Sequence, residues 1–212
     1  ISHMRRTWGY VTLGVIFLLF IWINGGVAVG DREMQQAGFF MGNIYFFLVV
    51  IGTIFTPIAV WFFVDLWKKR RFASLRQRLS YGIILGGLTG TLFITHTPEL
   101  HKYNLTANFI RNTILNLGYH DFTWLYATGI FLGAIIVAFI PLERKHLLVL
   151  PFSAAYIIPS SLVEHRYFIV PYILLLLFHA PVGRKTEYAI LAYYGAICIV
   201  ITYILLETPW FL

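Results

Sequence analysis

Long apolar stretches broken by short clusters of charge set the pattern of this chain, and their length is the first thing to weigh. A helix that crosses a bilayer needs about 20 largely apolar residues, within a range of roughly 17–25. On that ruler the sequence predicts helices over Trp8–Val27, Asn43–Trp67, Ser80–Ile94, Trp124–Ile140, Leu147–Ser161, Tyr167–Phe178 and Tyr188–Leu206. The fifth and sixth are short, and Pro151, Pro159 and Pro171 punctuate them. Proline lacks the N–H that an interior helical turn needs, so these two read as a broken or re-entrant pair inside the bundle. The expected fold class is an all-α membrane protein of about seven transmembrane helices. Residues 5–212 read as a single transmembrane domain, with no repeat, low-complexity tract or linker. Ile1-Ser2-His3-Met4 reads as an expression scar or as the edge of a longer chain, and is left out of the fold.

Composition agrees with that pattern. Only 12% of residues are charged and mean hydropathy is +0.76, whereas soluble domains carry about 25% charge. A net charge of +7 would suggest a nucleic-acid partner in a soluble protein; here its distribution matters more, and no nucleic acid is expected. Counted by loop, twelve Lys and Arg fall on one side: Arg5, Arg6, Lys68, Lys69, Arg70, Arg71, Arg76, Arg78, Arg144, Lys145, Arg184 and Lys185. Four fall on the other, Arg32, Lys102, Arg111 and Arg166. The positive-inside rule then predicts a cytoplasmic N-terminus and a lumenal or extracytoplasmic C-terminus. Trp8, Tyr10, Trp61, Trp67, Tyr119, Trp124, Tyr126 and Trp210 lie at the proposed span ends, where an interfacial aromatic belt is expected. The single cysteine, Cys198, excludes a disulfide framework and a thiolate metal site.

The far side also gathers most of the carboxylates and histidines, so candidate chemistry is expected there. The stretch Glu164-His165-Arg166-Tyr167 sets three ionisable groups between two apolar runs, where insertion scales charge roughly 2.5–3.5 kcal/mol per group. Arg166 is the candidate for an anion, because guanidinium matches phosphate oxygens two at a time and stays charged. His165 would donate a hydrogen bond or a proton, and Tyr167 a hydroxyl and a ring for a sugar. Glu164 would orient Arg166 or a substrate hydroxyl; alternatively the two neutralise each other and tie helices together. In the first far-side loop, Gly25, Gly26 and Gly30 precede Asp31 and Arg32, which would face a substrate or pair with each other. The loop from Thr95 to Thr123 carries His96, His101 and Lys102, and no HExxH or i, i+4 histidine pair, so no metal is expected. Its Asn104-Leu105-Thr106 is a glycosylation sequon, weak support for that side being lumenal.

Two of these stretches resemble a known family. Asn24-Gly25-Gly26, then Gly30-Asp31-Arg32, is similar to the Asn-Gly-Gly…Gly-Asp-[Lys/Arg] segment of the dolichyl-phosphate-glucose-dependent α-1,2-glucosyltransferases. Glu164-His165-Arg166-Tyr167-Phe168-Ile169-Val170-Pro171 resembles the Glu-x-Arg-Tyr…Pro segment near the C-terminus of the same family. The loop between them keeps His96 and a downstream Tyr, Asn and Thr, but not the family's Asp-Asn-Arg-His run. The resemblance covers the C-terminal half of such an enzyme.

It implies a GT-C-like fold and an inverting, metal-independent transfer without cofactor. Glucose would pass from a dolichyl- or polyprenyl-phosphate donor to a lipid-linked oligosaccharide. Arg166, His165 and Arg32 would hold the donor phosphate. Glu164, Tyr167, His96, His101 and Lys102 would meet the sugar and acceptor. The catalytic base is expected from the family's N-terminal half, with Asp31 its substitute within this chain. The protein would lie in the endoplasmic reticulum membrane if eukaryotic, or in the inner membrane of a bacterium, with its active face lumenal or extracytoplasmic. The competing expectation is a non-catalytic membrane subunit, a transporter or a lipid-binding bundle.

Overall fold

The computed structural model describes residues 15–16, 18–19, 22–23, 38–96, 100–106, 109–160 and 162–207. These residues are helical throughout, apart from connections and an isolated bridge between Leu142 and His179. The helices are α1 (Met41–Lys68), α2 (Phe72–Thr95), α3 (Lys102–Thr106), α4 (Ile110–Asn116), α5 (Thr123–Phe139), α6 (Val149–Ile157), α7 (Ile169–Phe178) and α8 (Arg184–Glu207). A π turn, Leu117–Asp121, joins α4 to α5, and a 3₁₀ turn, His165–Phe168, leads into α7. Of the first predicted span, Val15, Ile16, Leu18, Leu19, Trp22 and Ile23 are helical; its other positions lie outside the described residues.

The core is a three-helix layer in which α5 lies between α1 and α2. Among apolar side chains in a lipid setting, close approach depends on small residues at the crossing. A Cβ on Gly133 of α5 would collide with the carbonyl oxygen of Leu48 in α1, and one on Gly82 of α2 would fall 2.9 Å from Cα of Ile135. These glycines let backbone meet backbone. Ile51, Phe55, Phe93, Ile130 and Ala134 fill the layer with no exposed surface.

The last helix docks on a proline. Pro57 inside α1 has no N–H to give the Thr53 carbonyl four residues earlier. Tyr193 of α8 donates its hydroxyl to that carbonyl at 2.7 Å, and Tyr194 donates to the next one, Ile54, at 3.0 Å. The gap that proline opens is therefore closed from a neighbouring helix.

Measured against the predicted spans, α1, α5 and α8 fall where expected. By length and composition, two helices suffice to cross a membrane, Met41–Lys68 and Arg184–Ile204. Ile110–Asp121 with Thr123–Phe139 would make a third if that pair, bent by 116°, counts as one. The described residues thus supply two or three such helices where the sequence count proposes seven. α6 has nine residues and α7 ten, which at 1.5 Å per residue is about half the ~30 Å hydrocarbon thickness. Pro151 and Pro171 stand at the third position of each, before any interior N–H is required, and Pro159 follows the end of α6.

Two expectations need correction. α2 starts eight residues earlier than predicted, absorbing Arg76 and Arg78, because Arg78 serves the fold. Its Nη1 donates to the carbonyls of Ala138 and Ile140 at 2.7 and 3.1 Å, closing the C-terminus of α5, and its guanidinium lies over Phe62. Tyr119 and Tyr126 are not belt residues. Both are buried, with rings 5.1 and 5.2 Å from that of Phe93, whereas Trp67 and Trp124 are exposed.

The Gly133 crossing leaves no room for a methyl group. Gly133→Ala should destabilise the bundle by about 1–3 kcal/mol through overpacking. Gly87→Ala, where nothing lies within 4 Å of the added carbon, should be neutral or stabilising by up to about 1 kcal/mol. Chemical unfolding of both variants in one detergent measures the contrast, and equal stability would refute the backbone crossing.

Candidate functional site

The candidate site is built around a strap, residues 158–160 and 162–164, that lies between the end of α6 and the 3₁₀ turn. Three other parts of the chain grip it. Upstream of α1, the N–H groups of Gly38 and Phe40 donate to the carbonyls of Pro159 and Ile158, each at 3.0 Å. Asn43, with no exposed surface, donates Nδ2 to the Ser160 carbonyl at 2.6 Å. From α3, Asn104 meets Val163 twice, Nδ2 donating to its carbonyl at 3.0 Å and Oδ1 accepting its N–H at 3.2 Å. Asn112 of α4 steadies that arrangement by donating to the Tyr103 carbonyl at 2.9 Å. From α4 as well, Arg111 reaches Glu164 at 3.5 Å, both side chains buried.

Each grip has a physical reason. Backbone polar groups sealed from water need partners, and leaving one unmet costs about 1–3 kcal/mol. Asn104 supplies both partners to one residue, which a side-chain amide can do because it carries a donor and an acceptor. A buried carboxylate needs a cation close by, and Arg111 provides one. Its guanidinium lies over Phe109, 4.1 Å from that ring's centroid, with the Tyr103 ring at 6.0 Å on the same aromatic pair.

The turn that follows is held at its far end too. Phe168, fully buried, packs on Phe46 and Phe47 of α1 with centroids 5.9 and 5.5 Å away. One turn on, Tyr172 stacks on Phe47 at 5.4 Å. The N–H of Tyr167 donates to the Glu164 carbonyl at 3.1 Å. The turn His165-Arg166-Tyr167 is thus suspended between two buried anchors, Glu164 and Phe168.

Against the sequence-predicted residues, the structure gathers some and leaves others apart. Glu164 and Tyr167 frame the turn; His165 and Arg166 lie in it, their placement described at the backbone only. Lys102 opens α3, two residues before the Asn104 clamp, and His101 precedes it. His101 caps that helix, its Nδ1 accepting the Tyr103 N–H at 3.2 Å; Lys102 is exposed. His96, exposed at the end of α2, lines a groove of about 410 Å³ with Phe39, Met41, Tyr45 and Leu92. That groove borders the strap, since Phe40 bonds to Ile158. Asp31 and Arg32 lie outside the described residues.

Sequence reading missed Asn43, Asn104, Arg111 and Asn112. Arg111 had been counted only as one of four far-side cations. Its setting, a lone arginine in Phe-Ile-Arg-Asn-Thr-Ile-Leu, was the available signal for a buried partner. The sequon reading needs correcting: Asn104 has no exposed surface and both ends of its amide are engaged with Val163. In the folded protein it is a clamp.

The ion pair makes a sharp expectation. Arg111→Ala strips a buried carboxylate of this cation and should cost about 3–5 kcal/mol, while Arg111→Met with Glu164→Leu should regain most of it. Unfolding of the two single and the double variants in detergent gives the coupling. Additive losses would mean that the two charges do not interact.

The DIE2/ALG10 family profile matches residues 1–177. The mouse protein named Dol-P-Glc:Glc(2)Man(9)GlcNAc(2)-PP-Dol alpha-1,2-glucosyltransferase is 27% identical over 183 residues, 79% of this chain and 36% of its own length. Its Drosophila melanogaster counterpart of the same name is 29% identical over 190 residues, 82% of this chain and 39% of its own length. A human counterpart is 26% identical over 179 residues. The chain therefore spans little more than a third of the length of the curated relatives it matches. No solved structure matches it. With a family profile aligned to most of its length, the chain belongs to the DIE2/ALG10 family.

Proposed function

We propose that this chain is the lipid-phosphate-binding part of a membrane glucosyltransferase. The donor would be dolichyl-phosphate glucose, the named donor of the relatives, and the acceptor their lipid-linked oligosaccharide. The observation that carries this reading is the suspended turn. In a chain of this family, the Glu-His-Arg-Tyr segment is held by buried anchors on both sides, which is how a binding residue is kept in register.

In this reading Arg166 and His165, with Arg32, take the donor phosphate. The acceptor hydroxyl attacks the anomeric carbon, the carbon–oxygen bond to phosphate breaks, and the phosphate leaves with its charge met by these cations. A carboxylate receives the acceptor's proton; Asp31 is this chain's candidate, and a residue of the family's remaining length is the other. Tyr167, His96, His101 and Lys102 face sugar and acceptor. Glu164, already set against Arg111, acts by fixing the turn. The active face is lumenal in the endoplasmic reticulum, with the N-terminus cytoplasmic and seven helices in or across the bilayer. Two groups of contacts give the bundle two distinct ends. Residues 38–43, 104, 111, 158–160 and 163–164 meet at one end of the bundle. Residues 138–142, 179–180 and the start of α2 meet at the other.

The test is binding by the reconstituted chain. Charge-assisted hydrogen bonds are worth about 1.5–3 kcal/mol, so Arg166→Ala should weaken retention of dolichyl phosphate by roughly 10- to 100-fold. Retention of dolichol, which has no phosphate, should not change. Equal phosphate binding by wild type and variant would remove Arg166 from the site.

A further inference from the structure

The bundle end opposite the strap carries a concentration of charge that the proposed transfer does not use. α1 and α2 are joined by only three residues, Lys69-Arg70-Arg71, with Arg70 at φ 54°. That left-handed residue reverses the chain so tightly that the cations around it stand at a tip. Lys68, Lys69, Arg70, Arg71 and Arg76 are all exposed. One carboxylate lies among them, Asp65, 2.9 Å from Lys69. Arg78 is excluded from the group, because its guanidinium is committed to the carbonyls of α5.

An exposed basic tip is ordinarily a solvated one. Here its immediate neighbours are aromatic. Trp67 is 57% exposed, stacks beside Phe63, and meets Phe72 edge-on at 5.5 Å. Tryptophan half in apolar surroundings and half in water is a residue of the headgroup layer. At about 1.5 Å of rise per residue, Lys68 and Lys69 stand only a few ångströms beyond that ring, the depth at which lipid phosphates lie. They end a 28-residue apolar helix, Met41–Lys68. Other cations share this end: the Ala180 N–H donates to the Pro141 carbonyl just past the end of α5, which puts the exposed Arg184 and Lys185 at the start of α8 there too.

We infer that the α1–α2 tip is a binding surface for anionic phospholipid headgroups of the leaflet opposite the catalytic face. Juxtamembrane clusters of four or more Lys and Arg attract acidic lipids, and the attraction falls off within a Debye length. The tip collects phosphatidylserine or phosphatidylinositol around α1, fixing the depth at which the helix hairpin, and with it the opposite end of the bundle, sits in the membrane. The inference rests on the membrane reading above.

The experiment reconstitutes the full chain in vesicles of phosphatidylcholine with 20% phosphatidylserine, a composition chosen for the test, and compares bound lipid by native mass spectrometry. The wild type should retain phosphatidylserine several-fold above its share of the bilayer. Lys68→Gln, Lys69→Gln, Arg70→Gln and Arg71→Gln combined should bring retention down to that share. Adding 0.5 M salt to the wild type should do the same, which keeps the test valid if the variant misfolds. Inorganic phosphate at millimolar concentration should not displace the lipid; displacement would mean a free-anion site and would overturn the inference. So would phosphatidylserine retention unaffected by both the substitutions and salt. A chain that does not float with the vesicles at all would refute the membrane reading itself, whereas one that floats without lipid preference refutes this inference alone.

Discussion

The buried pairing of Glu164 with Arg111 is the constraint around which this end of the molecule is arranged. Two charges out of water are tolerable only together and only with their remaining groups satisfied. Arg111 therefore has to arrive from α4 at a fixed place, its guanidinium lying over Phe109. Asn104 has to hold Val163 by both backbone groups, and Asn43 has to meet Ser160. Once those conditions hold, the next residues have little freedom. Phe168 enters the core at the other end of the turn, and His165, Arg166 and Tyr167 are what remains between.

That arrangement depends on the glycine-lined layer beneath it. Gly133 lets α5 approach α1 closely enough for Tyr45, Phe47 and Phe93 to share one core with the strap-side residues Val163 and Phe168. At the other end, Arg78 closes α5 and the Lys69–Arg71 turn closes the hairpin. The strap end thus holds one buried ion pair, and the other end displays a cluster of exposed cations. The contrast matches a division of labour in which binding chemistry occurs at the buried end while the displayed end meets the lipid surface.

How much of this the sequence made legible depended on the range of the interaction. α1, α5 and α8 were readable because an apolar run reports a helix locally, without reference to anything else. The start of α2 was not readable: Arg76 and Arg78 look like loop charges, and only the three-dimensional position of the Ala138 and Ile140 carbonyls explains an arginine there. Tyr119 and Tyr126 look like belt residues until both are seen packed against each other and Phe93. The strap was the least legible, since Asn104 lies 59 residues from Val163 and Arg111 lies 53 from Glu164. Asn104-Leu105-Thr106 even carried a competing local meaning. Glu164-His165-Arg166-Tyr167 stood out because charge between apolar runs is costly, but its partner could not be named from the chain alone.

The most direct test of the account is amide hydrogen exchange across residues 158–168 in wild type and Asn104→Ala, with dolichyl-phosphate binding measured on the same samples. The account predicts that the variant loses protection at Val163 and through the turn, that overall helix content is unchanged, and that lipid-phosphate binding falls together with the protection. A variant that loses protection over the strap yet binds dolichyl phosphate as tightly as the wild type would contradict it, because the turn would then be placed by something other than the strap.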